Sequence, residues 1–385
     1  MMIRRALLSV AFAAILAAPA AAQSIKLPET LTWTAYDVGS GGYNQAVAIG
    51  NALKNKLQVN LRVLPGKNDV SRNIPLRDGK VPFSANGVGG SYLAQEGLYE
   101  FGARDWGPQA VRALILNNSD QLLTVVTAKD ANIKTMADLK GKRVAWVVGS
   151  PALNQNITAL LAFANLTWSD VQKVEFGGFG AAMNGIIANQ VDAAFSSSIS
   201  GPLYKLASSP RGLQYPVVPH NDADGWKRLN KVAPFFVPIK GAEGAELAKD
   251  KTVESAGYPY PVLMTMQGTD PDLVYNMTKA MVELFDDYKD GAPGNSGWSL
   301  QRQIFAWAIP MHDAAVKYYK ERGVWTATHQ QHNEALTKRQ AVLAEAWKSY
   351  VSGASADEKE FEKGWMTARA AALTKAGMEV VVAEW

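Results

Sequence analysis

Four times in this chain a short apolar run ends in a small polar turn and passes into a stretch of helical spacing. The runs are residues 31–36, 81–85, 143–148 and 191–195, and the turns lie near Ser40, Asn86, Ser150 and Ser196. Units of this kind bury themselves as α/β layers around a largely parallel sheet. In such sheets a ligand lies in the crevice beyond the carboxyl ends of the strands. The first turn, Gly39-Ser40-Gly41-Gly42-Tyr43, allows a tight bend and close approach to the free N–H groups of a helix start, where the dipole favours an anion. A turn that simply needs glycine would look the same. Recurrence favours binding: at Gly149-Ser150-Pro151-Ala152 serine again suits an N-cap and proline the first helical position.

The pattern restarts in mid-chain, which implies two lobes with a cleft between them. Residues 122–129 and 233–240 are the expected crossings. They place lobe I at residues 27–127 and 237–325, lobe II at 128–236, and a helical C-terminal extension at 326–385. Asp270-Pro271-Asp272 opens a helix, and Leu273, Val274, Met277, Met281 and Leu284 form its core stripe.

The first 22 residues have the arrangement of a cleaved secretory signal. Arg4 and Arg5 precede a mostly apolar stretch, and Ala20-Ala21-Ala22 supplies the small-residue site. No later run approaches the ~20 apolar residues of a membrane span. The chain contains no cysteine, so neither a lipid-bearing cysteine nor a disulfide framework is expected. Removing the two arginines lowers the formal charge from +4 to +2 (4 − 2), and no basic patch indicates nucleic acid. A monomeric periplasmic protein, not itself membrane-embedded, is the expectation.

The glycine turn lacks the third glycine of a dinucleotide fingerprint. The four histidines, His220, His312, His329 and His332, form no nucleophile–base set, and there is no Gly-x-Ser-x-Gly elbow. His329 and His332 have helical spacing without a third ligand. Neither a cofactor, a metal nor an enzymatic activity is expected, although an exported α/β hydrolase is the rival class.

The order of motifs resembles the TAXI group of solute-binding proteins that serve TRAP transporters. The matching segments are the Gly39 turn, residues 65–83, residues 136–144, residues 189–195, residues 272–280 and residues 309–323, the last beginning Ile309-Pro310-Met311-His312. The resemblance spans about 31–323. It implies a type II periplasmic-binding-protein fold and a small organic anion, dicarboxylate, 2-oxoglutarate or glutamate-like, delivered by hinge closure to TRAP membrane subunits. An ATP-driven transporter or a sensor is the alternative partner. The sequence departs from the group at Ser150-Pro151-Ala152-Leu153-Asn154, at Asp313-Ala314, and in the long tail.

The candidate ligand-binding residues are therefore Ser40, Gly41 and Gly42 on one lobe and Ser150 on the other. Asn86, Asn154 and Ser197 are candidate neutral donors, and Tyr43 a packing surface. Arg72 and Arg77 could fork a carboxylate, but the base rate for arginine favours solvated or structural roles.

Overall fold

The computed structural model describes residues 24–382; the signal-like segment at 1–22 lies outside them. The first lobe contains β1 (Thr30–Ala35), β2 (Asn60–Pro65), β3 (Phe83–Asn86) and β4 (Val111–Leu116). The second contains β5 (Leu123–Ala128), β6 (Arg143–Val147), β7 (Gln172–Phe176), β8 (Ala193–Ser197) and β9 (Leu213–Gln214). An antiparallel ribbon, β10 (Val237–Gly241) and β11 (Val253–Gly257), precedes β12 (Val262–Met266).

The sheets run β2-β1-β3-β12-β4 and β7-β6-β8-β5-β9. In each, one inserted strand is antiparallel to its neighbours: β12 in the first sheet and β5 in the second. Each sheet thus takes as its antiparallel strand the segment that follows the other lobe's strands. This is the two-lobed type II periplasmic-binding-protein arrangement. Both inserted strands are almost wholly buried, as expected for strands covered by helices on two faces.

The chain leaves the first sheet through residues 117–122, just before β5, and returns through 258–261, just before β12. The apolar run at 233–240 is not the return. Phe235 and Phe236 pack edge-on against Tyr258 in the core, and the chain turns back only after the ribbon. The two crossings bond to one another: the Tyr260 N–H donates to the Asn117 carbonyl at 2.7 Å and the Asn117 N–H to the Pro261 carbonyl at 2.9 Å.

The helices facing the cleft are α1 (Gly41–Leu57) and α2 (Asp69–Arg77) in the first lobe, whose single turn α3 (Ala94–Glu96) follows a π-helical turn at Gly89–Leu93 and meets the C-terminal extension, and α4 (Pro151–Phe163), α5 (Phe179–Ile187) and α6 (Gly201–Ala207) in the second. Behind them lie α7 (Ala223–Val232), α8 (Pro271–Glu283), α9 (Phe285–Tyr288) and α10 (Asp313–Glu321). The extension is a helical pair, α11 (Ala327–Val351) and α12 (Glu358–Lys375), joined by a cluster of Trp347, Tyr350, Phe361 and Trp365. It docks on the first lobe. Trp365 Nε1 donates to the Gly97 carbonyl at 2.7 Å, and the fully buried Glu96 carboxylate pairs with Arg339 and Arg369. Among the described residues no helix is long and apolar enough to cross a membrane.

Candidate functional site

The two lobes of the first half treat their helix starts differently. In the first lobe, Ser40 caps α1 by accepting from the Tyr43 N–H at 3.3 Å, and Asn68 caps α2 in a capping box with Ser71. In the second lobe, α4 and α5 have no side-chain cap of their own. Their first N–H groups are met across the cleft. The Ala152 N–H and the Ser150 hydroxyl donate to the Asp69 carboxylate at 2.9 and 3.3 Å. The Gly180 N–H donates to the Asp37 carboxylate at 3.2 Å, and the Phe179 N–H to the Lys67 carbonyl at 3.3 Å. At α6, the Gly201 N–H donates to the Gly39 carbonyl at 3.0 Å. The lobes are therefore closed on one another.

Between them lies a cavity of about 40 Å³ lined by residues of both lobes and of the return crossing. That is far below the roughly 300–1,000 Å³ of ordinary small-molecule pockets. Asp69 and Arg72, 1% and 2% exposed, form a salt bridge on its wall. Arg72 also donates to Asn86 Oδ1 and to the Gly66 carbonyl, each at 3.3 Å, and stacks on the Tyr36 ring at 3.9 Å. Burial pushes the Tyr36, Tyr258 and Tyr260 phenols well above the usual tyrosine range, so each stays protonated and can donate. Phe179, Phe195 and Leu123 supply apolar wall. Asn156, wholly buried, donates to the Tyr258 hydroxyl at 2.7 Å, but its Oδ1 has no partner. A buried polar atom without a partner carries a cost unless something supplies the bond.

Of the residues singled out from sequence, Ser40, Arg72, Ser150 and Ser197 line this cavity. Gly41 and Gly42 lie in the wall behind it, where the close approach of neighbours needs glycine: a Cβ on Gly41 would sit 2.8 Å from Ile199 of the second lobe, and one on Gly42 2.7 Å from Tyr36. Tyr43 packs half-buried against the core instead. Asn86 is buried beneath the cavity, giving its amide to Asn73 and Ser84. The Asn154 side chain is spent on the Val147 N–H and carbonyl, 2.9 Å each. Ser197 donates to Gln121 at 2.5 Å. Arg77 is half-exposed, paired with Asp78 and stacked over Trp106.

Sequence reasoning did not reach Asp69, Tyr36, Asn156, Tyr258 or Tyr260. A lone acid after a capping asparagine was the available signal for Asp69. The internal Pro75 obscured the helix that carries it.

His312, His329 and His332 make structural hydrogen bonds. His312 caps α10, its Nδ1 accepting from the Ala314 N–H at 3.1 Å. His329 Nδ1 accepts from the Thr326 N–H at 3.2 Å, and His332 Nε2 lies 2.6 Å from the Trp307 carbonyl. Among the described residues no cluster of three metal-ligating side chains occurs.

A larger groove of about 820 Å³ lies beside the cleft, between Tyr99 and Glu100 of the first lobe, Trp146 and Trp168 of the second, and Glu362 of the extension. The smaller cavity is the better candidate site because buried charges and helix starts from both lobes converge there.

Among solved structures, the chain is similar to the alkanesulfonate-binding protein of Xanthomonas axonopodis pv. citri bound to MOPS, at 13% identity over 84% of this chain and 94% of that one, with a TM-score of 0.43. It is also similar to the periplasmic aliphatic sulphonate binding protein of Escherichia coli, at 17% identity over 79% and 84%, TM-score 0.41. An ancestral arginine-binding protein bound to arginine matches at 17% identity over 77% and 99%, TM-score 0.40. Residues 37–323 match the model of the NMT1-like family, about three quarters of the sequence. The chain belongs to the NMT1-like family.

Proposed function

We propose that this protein is an extracytoplasmic solute-binding subunit that captures a small organic anion, of the dicarboxylate, 2-oxoglutarate or glutamate-like class, by closing its lobes around it. The observation that carries this reading is the convergence of Arg72, the Ser150 hydroxyl and the start of α4 on one buried cavity at the junction of the lobes. Charge-assisted hydrogen bonds contribute about 1.5–3 kcal/mol each, enough for a few of them to orient a carboxylate. Ser40 and Ser197 are assigned neutral contacts. Binding energy drawn from both lobes favours the closed state, which a membrane partner then recognises. The motif order supports a TRAP-type membrane partner, and the signal-like N-terminus supports the periplasm.

The test is a thermal-shift screen of organic acids, amino acids and neutral solutes, followed by small-angle scattering. A ligand at about 100 times its Kd stabilises by about 2.7 kcal/mol. A shift with an organic anion, accompanied by compaction of an initially open fraction, is expected. Stabilisation by neutral solutes alone would remove the anion, and turnover of esters would return the hydrolase. Co-purification with a TRAP membrane subunit rather than an ATP-driven one tests the partner.

A further inference from the structure

Resting on the anion-binding reading, we propose that Asp69 is a built-in occupant of the carboxylate seat, and that binding exchanges its carboxylate for the solute's. Three features of the closed arrangement lead there. First, Asp69 Oδ2 takes the Ala152 N–H and Ser150 hydroxyl, while Asp69 Oδ1 takes Arg72. These donors, from the two lobes, form the set that a carboxylate with two oxygens would use. Second, α4 has no side-chain cap within its own lobe, whereas α1 and α2 cap themselves. When the cleft opens, the α4 donors lose Asp69 and face the incoming solute. Third, the wholly buried Asn156 lines the same cavity with Oδ1 unpartnered. The Asp69 carboxylate does not meet it. The internal occupant therefore satisfies the carboxylate seat and leaves a second acceptor for the solute alone.

Asp69 then sets a threshold that every solute must exceed, and Asn156 decides which solutes exceed it. A plain carboxylate can only match what Asp69 already supplies without loss of chain freedom, so it competes poorly. An acid that also carries an N–H or O–H donor for Asn156 adds a bond that Asp69 cannot make. Amino or hydroxy acids outcompete the corresponding unsubstituted diacid.

The experiment uses the mature chain and its Asp69→Ala and Asp69→Asn variants, with cooperative thermal melts confirming folding. Titration calorimetry measures binding of acetate, glutarate and glutamate, and scattering measures the ligand-free dimensions. Asp69→Ala is expected to bind at least one of the three at least tenfold more tightly than the unaltered protein. It should also be more open without solute, and glutarate and glutamate should gain by similar factors, because the Asn156 bond that separates them does not involve Asp69. Asp69→Asn, which keeps the shape but not the charge, should fall between the two, and it carries the test if the alanine variant does not fold. Weaker or unchanged binding in the folded variants would make Asp69 a closing latch and overturn the inference while leaving anion capture standing. Absence of carboxylate binding in all three proteins would overturn both.

Discussion

Closure can be obstructed without touching the cavity. Gly201, the first residue of α6, faces the Gly39 carbonyl of the other lobe, and a Cβ at this position would lie 2.8 Å from that backbone oxygen. A flexible side chain could move aside; a backbone carbonyl in a tight turn cannot. Gly201→Ala must therefore separate the lobes locally and stretch the 3.0 Å bond from the Gly201 N–H to the same carbonyl. Losing that bond costs about 0.5–1.5 kcal/mol, and overpacking typically adds about 1–3 kcal/mol. Alanine suits a helix start within the second lobe at least as well as glycine, so most of the cost falls on the closed state. A penalty of about 2 kcal/mol corresponds to about a 30-fold loss of affinity for any solute that requires closure. Titration calorimetry with the best solute from the screen measures the loss, and scattering measures the accompanying expansion. An affinity within twofold of the unaltered protein, with unchanged dimensions, would refute the claim that binding needs this contact.

The other expectations concern the seat and its supports. Ser150→Ala in the Asp69→Ala background, where no internal carboxylate competes for the hydroxyl, should weaken anion binding about tenfold or more, the equivalent of about 1.5–3 kcal/mol; calorimetry showing no change there would take Ser150 out of the site. Glu96→Gln leaves the wholly buried Arg369 without its charge partner, and breaking a buried pair costs about 3–5 kcal/mol, to be read from urea unfolding; a loss below about 1 kcal/mol would show that the extension is not held through this group. Burial first, then the nearby Asp69 and Glu362 charges, push the Glu100 carboxyl up to about 7. Its favourable contribution is complete below the ordinary value of 4.5 and is lost as pH rises through about 7. Glu100→Gln should therefore match the unaltered protein near pH 4 and exceed its stability by about 1–2 kcal/mol at pH 8; an equal gap at both pH values would contradict this.

Much of the architecture was legible locally. Strand runs, the Ser40 helix start and the serine–proline start at Ser150 are written in neighbouring residues, because caps and turns are satisfied within three or four positions. The positions of the crossings were less legible. Apolar runs such as 122–129 and 233–240 do not say whether they cross between lobes or fill one, and here β5 is an inserted strand while Phe235 and Phe236 are core. Asn86 and Asn154 looked like free donors because sequence does not reveal that Asn73, Ser84 and the Val147 backbone already occupy them.

What the sequence alone determined was the type of layer, the repeated helix starts and the serines that stand at them, since these follow from local spacing and conformational preference. Only the tertiary structure decided what faces those starts. Asp69 meets Ala152 across 83 positions of chain, and Tyr258 and Tyr260 enter the cavity from the return crossing. A contact of that span depends on how two sheets share their antiparallel strands and close on each other, and no local pattern of residues encodes it.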